Sequence, residues 1–268
     1  MPQVYAGMKT RATLHGVRSL VWLLALALTA ACTAEQPASP QVTLLETIPH
    51  DTSAFTQGLE LVDGVLYEGT GLEGESTMRA VDPKTGQVRK KVDLPRELFG
   101  EGITVVGPRI WQITWRNGVA IERDRTTLAE TRRVQYEGEG WGLCHDGSRL
   151  IMSDGSAKLA FRDAATFQET GSVQVTRDGK PVTELNELEC VNNAVWANVW
   201  QTDDIVRIDP KTGNVTATFN LAALRPQATG KEDVLNGIAA IPGTDEFLVT
   251  GKNWPSIFRV RFTGVRQD

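Results

Sequence analysis

Three histidines and three cysteines in 268 residues leave little material for a histidine-built metal cage or a disulfide scaffold. Neither the HExxH nor the CxxC spacing of a zinc site occurs, and a Gly-x-Ser-x-Gly elbow and a Walker loop are also absent. Triad hydrolysis and nucleotide chemistry therefore lack their motifs. A basic excess is missing too. Lys and Arg total 28 against 33 Asp and Glu, a net charge of −5, which argues against nucleic-acid binding through a positive field. The chain holds one long apolar run, so it is not a multi-span membrane protein. What remains is ordinary globular composition, 41% hydrophobic and 23% charged. Its 25 Gly and 7 Trp point to many turns and several large aromatic anchors.

The apolar run is Leu20 to Ala31, preceded by a basic stretch from Lys9 to Arg18. It is short for a membrane span and has the n-region and h-region of a secretory signal. Met8 places the basic residues directly ahead of the apolar run and is a natural start. The run ends in Thr29-Ala30-Ala31-Cys32, which resembles a bacterial lipobox, with Thr29 where such boxes prefer Leu. Residues 1–31 are thus predicted as a signal peptide and 32–41 as a polar, Pro-containing tether. Cys32 is the candidate lipidation site. Residues 42–268 form one folded domain. The expected location is exported and periplasmic, with a lipid anchor to a bacterial membrane through Cys32.

Within that domain a short signature recurs five times. It reads Gln57-Gly58-Leu59, Glu101-Gly102-Ile103, Trp141-Gly142-Leu143, Asn186-Glu187-Leu188 and Asn236-Gly237-Ile238, at intervals of 44, 40, 45 and 50 residues. After each comes a β-rich run, as in VLYEGTG from Val65 or AVWANVW from Ala194, and then a second, as in TMRAVD or DIVRID. Four of these end in an Asp-led turn, at Asp82, Asp124, Asp163 and Asp209, before a fourth run such as QVRKKVDL. Four strands per unit near a 45-residue period is the arithmetic of a five-bladed, all-β propeller. The fifth unit stops after three strands, and Gln41 to Ile48 supplies the missing outer strand and closes the ring. Apart from a turn near Ala222–Gln227, no helix is expected.

In a propeller the first strand of each blade lines the axis. The five residues opening these strands, Gln57, Glu101, Trp141, Asn186 and Asn236, are therefore brought together. The second strand runs back, so Gly71, Trp115, Gly155, Trp200 and Lys252 at its end face the same mouth of the central channel. Phe55 and Phe99, two residues before the first ring, add aromatic wall. Aromatic sides with a few aimed polar groups describe a small-ligand pocket. Glu101 is the one acidic residue in either ring. Burial among aromatics should raise its pKa and Lys252 should oppose that rise, which suits a group that takes and gives a proton near neutral pH. The same composition also fits amides that satisfy channel water and a structural Glu101–Lys252 ion pair.

The segments FTQGLE (55–60), YEGTGLEGES (67–76), FGEGIT (99–104), EGWGL (139–143), LNELE (185–189), VWANVWQTD (195–203), VLNGIA (234–239) and VTGKNWP (249–255) resemble the glutaminyl-peptide cyclotransferase family of the plant and bacterial type. The resemblance implies a five-bladed β-propeller that converts the N-terminal glutamine of a peptide or protein into pyroglutamate and releases ammonia, without metal or other cofactor. It makes Glu101 of FGEG the essential glutamate. By the same motifs, Phe55, Gln57, Phe99, Trp115, Trp141, Asn186, Trp200 and Lys252 line the substrate pocket. The expected partners are peptides and proteins with an N-terminal glutamine, not nucleic acid, and the expected state is a monomer. A non-catalytic propeller that binds N-terminal peptide segments is the alternative. Cys144 and Cys190 fall three and four residues after the equivalent positions Trp141 and Asn186. Strand parity then points them to different faces and argues against a disulfide.

Overall fold

The computed structural model describes residues 39–227 and 230–264. The signal segment, the start at Met8 and Cys32 lie outside the described residues. The chain enters through β1 (Gln41–Pro49). Blade 1 follows as β2 (Thr56–Val62), β3 (Val65–Thr70), β4 (Thr77–Val81) and β5 (Val88–Asp93). Blade 2 is β6 (Gly100–Val106), β7 (Arg109–Thr114), β8 (Val119–Asp124) and β9 (Glu130–Gln135). Blade 3 is β10 (Leu143–His145), β11 (Leu150–Ser153), β12 (Lys158–Arg162) and β13 (Glu169–Gln174). A small ribbon of β14 (Thr176–Arg177) and β15 (Lys180–Pro181), not foreseen from the repeat, precedes blade 4. Blade 4 is β16 (Leu185–Val191), β17 (Ala194–Val199), β18 (Asp204–Ile208) and β19 (Val215–Asn220). Blade 5 is β20 (Leu235–Ala240), β21 (Glu246–Gly251) and β22 (Ser256–Thr263). Each blade is a four-stranded antiparallel sheet, and β1 pairs with β22 as the fourth strand of blade 5. The fold is the five-bladed propeller that the repeat predicts, closed by its N-terminal strand. A 3-10 turn at Ala222–Leu224 falls where a turn was expected.

Local chemistry explains the blade turns. The Asp82 Oδ1 accepts the backbone N–H groups of Lys84 and Thr85, and Asp124 and Asp163 repeat this geometry. The bonds from Lys84 and Arg89 hold the Asp82 carboxyl down at about 2. In blades 1 and 4 the turn closes on Gly86 and Gly213 at φ 67° and 75°. Blades 2 and 3 put Leu128 and Phe167 there instead, at φ 65° and 67°. Both side chains are fully buried, Phe167 against Trp111, so packing offsets a backbone conformation that large residues avoid.

The apolar core lies between blades. Ile151 and Leu159 of blade 3 pack with Val195, Val206 and Ile208 of blade 4, and each neighbouring pair of blades repeats the arrangement with its own residues. The first strands β2, β6, β10, β16 and β20 each touch the next in a closed circle. In blades 1 to 3 their approach leaves no room for a side chain at one equivalent position. A Cβ on Gly102 would come 2.6 Å from the Leu143 nitrogen, and one on Gly142 would come 2.0 Å from the Asn186 oxygen. In blade 4 this position holds Glu187. Its carboxylate reaches blades 1 and 5 and accepts the N–H of Leu59 at 3.2 Å and of Ile238 at 2.8 Å. Burial pushes the Glu187 carboxyl well above its ordinary value, against those two bonds.

Cys144 and Cys190 form a disulfide, with Cα atoms 5.4 Å apart. This corrects the parity argument. Blades stack face on face, so the side of blade 3 that meets blade 4 is opposite to the side of blade 4 that it meets. Residues of unlike parity on neighbouring first strands therefore point at each other. Cys144 lies in the core between blades 3 and 4, and Cys190 packs against it.

Two outcomes follow for stability. Replacing Glu187 by Ala orphans two buried N–H groups, and urea unfolding should register a loss of about 3 kcal/mol or more; a loss within experimental error would remove Glu187 from the frame. Reducing the disulfide, which spans 46 residues, should lower the unfolding free energy by about 2–4 kcal/mol. Identical urea midpoints with and without reductant would contradict this.

Candidate active site

One end of the circle of first strands opens into a pocket of about 410 Å³. Its lining contains Phe55, Gln57, Phe99, Glu101, Trp115, Trp141, Asn186, Trp200 and Lys252, together with Leu72 and Glu232. All nine pocket residues expected from the sequence thus meet in one cavity. The geometry behind this is regular. Gln57, Glu101, Asn186 and Asn236 are each the second residue of a first strand, and Trp141 precedes β10 by two residues. Trp115, Trp200 and Lys252 each follow directly on the last residue of a second strand. Asn236 does not line the cavity but stands behind Gln57.

The polar groups form a directed chain. Asn236 Nδ2 donates to Gln57 Oε1 at 3.0 Å and to the Thr56 carbonyl at 2.9 Å. Gln57 Nε2 donates to Glu101 Oε1 at 2.8 Å. The Gln57 amide is therefore fixed at both ends, with its nitrogen toward the carboxyl. Glu101 Oε2 and Asn186 Oδ1 are buried and have no hydrogen-bond partner among the described residues. A buried acceptor left without a bond is costly unless a ligand completes it. Glu101 is 4% exposed. Burial raises its pKa well above the ordinary carboxyl value; Lys252 pulls it down and Glu139 pushes it up. Lys252 is shifted the other way, downward, by burial, against the pull of Glu101 and Glu232. Its ammonium stands 4.7 Å from the centre of the Phe55 ring. The Glu101–Lys252 coupling acts through space: among the described residues, no direct hydrogen bond or ion pair joins them.

The aromatic wall is built by ring contacts. Phe55 meets Phe99 edge-on at 6.2 Å, Phe99 meets Trp115 at 5.4 Å, and Trp141 meets Trp200 edge-on at 5.5 Å. Two glycines of the second ring make room for it. A Cβ at Gly71 would strike Phe99 at 2.5 Å, and one at Gly155 would strike Trp141 at 2.6 Å. Those positions are empty because the neighbouring ring fills them.

Sequence reasoning missed Leu72 and Glu232 because both lie on connections just beyond the aligned strands, Leu72 one residue after Gly71. Leu72 sits at φ 82° and Glu232 just before β20. Glu101 is thus not the sole carboxylate near the mouth. Glu139 was legible only as a letter in the EGWGL segment.

Buried carboxyl, unpaired acceptor and aromatic wall make a chamber in which one proton can be moved away from water. Comparison with known proteins places that chamber in a family. The glutamine cyclotransferase family model matches residues 18–262. A glutaminyl-peptide cyclotransferase of Arabidopsis thaliana is 38% identical over 227 residues, covering 82% of this chain and 71% of its own length. The crystal structure of Myxococcus xanthus glutaminyl cyclase superposes with a TM-score of 0.79 at 38% identity, over 85% of this chain and 98% of that one. The chain belongs to the glutamine cyclotransferase family.

Proposed function

We propose that this protein cyclises the N-terminal glutamine of peptides to pyroglutamate and releases ammonia, with Glu101 as the proton-transfer group. In the reaction the α-nitrogen forms a bond to Cδ, the carboxamide carbon of the same side chain, and the Cδ–Nε2 bond breaks. Nucleophile and electrophile are already tethered, so the pocket mainly has to hold the cyclising rotamer and keep water out. The incoming amine must lose a proton and the leaving amide nitrogen must gain one. A single carboxyl between them does both in sequence.

The observation that carries this reading is Glu101 Oε2, a buried carboxyl oxygen in an aromatic pocket with no hydrogen-bond partner among the described residues. Gln57 holds the other oxygen, which leaves Oε2 to take the proton from the amine and hand it to the carboxamide nitrogen, which departs as ammonia. Burial raises the Glu101 pKa well above the ordinary carboxyl value, which favours a group that can hold the proton it takes. Asn186 Oδ1 is an acceptor suited to an N–H of the substrate amine or carboxamide. Lys252 supplies positive charge for the oxyanion that develops on the γ-carbonyl. Phe55, Phe99, Trp115, Trp141 and Trp200 offer flat faces to the five-membered ring. The pocket's donors are carboxyls, amides and one ammonium, with neither histidine nor cysteine. That set supports proton transfer without a bound metal.

Ammonia release from a Gln-initiated dipeptide tests the reading. Glu101→Gln should lose at least about a hundredfold in turnover, and chelator treatment should change nothing. The carboxylate form is the base, so kcat/KM should fall as pH drops through the raised Glu101 pKa, above the ordinary 4.5. Glu101→Gln should lack that acid limb. Binding of the dipeptide without ammonia release would instead make the protein a peptide-binding propeller.

A further inference from the structure

The aromatic wall has two segments, Phe55–Phe99–Trp115 and Trp141–Trp200, and a single oxygen atom links them. Glu139, on the connection between β9 and β10, accepts the indole N–H of Trp115 at 2.8 Å and of Trp141 at 3.1 Å, both on Oε2. Its other oxygen accepts Arg116 Nε at 2.9 Å. The Arg116 guanidinium in turn lies 3.8 Å over the Trp115 ring. Glu139 is not part of the pocket lining. Its carboxylate is ionised: burial pushes it up, but bonds from Trp141, Arg116 and Trp115 outweigh that and hold it below the ordinary range.

We propose that Glu139 is a positioning residue for the cyclisation pocket, a bracket that fixes the planes of Trp115 and Trp141 through their two indole N–H groups. The inference rests on the cyclotransferase reading of this pocket for its kinetic consequences and on geometry alone for the bracket. Indole rings pivot about two torsions, and ring packing alone leaves their planes soft. A charge-assisted bond at each N–H removes that freedom. The same charge acts a second time. Glu101 faces three titratable groups, Lys252 after β21, Glu139 before β10 and Tyr136 after β9, and among them Glu139 raises its pKa while Lys252 lowers it.

Two variants separate the jobs. Glu139→Ala removes acceptor and charge. Glu139→Gln keeps one oxygen for the two indoles but removes the charge and the oxygen that accepts Arg116 Nε. Glu139→Ala should raise KM by about tenfold, the scale of a lost charge-assisted bond; Glu139→Gln should stay within about threefold. Both should move the acid limb of kcat/KM to lower pH. Indole N–H resonances of Trp115 and Trp141, assigned through single Trp→Phe variants, should move together in Glu139→Ala, and this readout does not depend on turnover. Unmoved indole resonances, or an unchanged KM in Glu139→Ala, would overturn the bracket. Lack of ammonia release by the wild type would overturn the cyclotransferase reading instead, and the indole resonances would still decide the bracket.

Discussion

Five first strands approach one another at one equivalent position, and in blades 1 to 3 a Cβ there would come within 2.6 Å of the next strand's backbone. Glycine fills it four times, at Gly58, Gly102, Gly142 and Gly237, and Glu187 fills it once, its carboxylate spanning to the N–H groups of Leu59 and Ile238. The site depends on this contact. The residue before each of these positions is Gln57, Glu101, Trp141, Asn236 or Asn186. Packing that closes the circle therefore also sets the spacing of the pocket's polar groups. The blades outside the circle supply stiffness: five apolar cores lie between neighbouring blades, and the Cys144–Cys190 bridge joins blade 3 to blade 4.

Two buried carboxyls illustrate how hydrogen bonding divides structure from chemistry. Glu187 and Glu101 are both removed from water, and burial raises both pKa values. Glu187 uses each oxygen to hold a backbone N–H and is finished as an acceptor. Glu101 has one oxygen held by Gln57 and one without a hydrogen-bond partner among the described residues. The first group is a strut. The second retains capacity for a proton or a substrate, at a cost in stability that the surrounding frame must offset.

Most of the frame was legible in the sequence because a propeller repeats. Equivalent positions such as Gln57 and Glu101 could be aligned with no structure, and their convergence follows from the architecture. The β1 closure was legible because Gln41 to Ile48 carries the pattern of the other outer strands. What escaped lies where repetition fails. Leu72 and Glu232 sit on connections between strands, where the side chain that reaches the pocket is not set by strand alternation. Glu139 acts through two tryptophans, by an oxygen whose targets depend on three-dimensional distance and not on a motif. Cys144 and Cys190 were misjudged because parity was counted along each strand without asking which face of one blade meets which face of the next. Leu128 and Phe167 align with Gly86 and Gly213 but lack glycine's freedom, and their left-handed conformation shows core packing overriding the local preference.

The central claim is that a pyroglutamyl ring forms against Glu101 inside the aromatic chamber. A crystal structure with a bound pyroglutamyl dipeptide tests it most directly. The account predicts the lactam between Phe55 and the Trp141–Trp200 pair, with its nitrogen or oxygen within hydrogen-bond distance of Glu101 Oε2 and the peptide leaving past Lys252 and Glu232. A dipeptide seated elsewhere, or a lactam in the chamber with Glu101 Oε2 turned from it, would contradict the account.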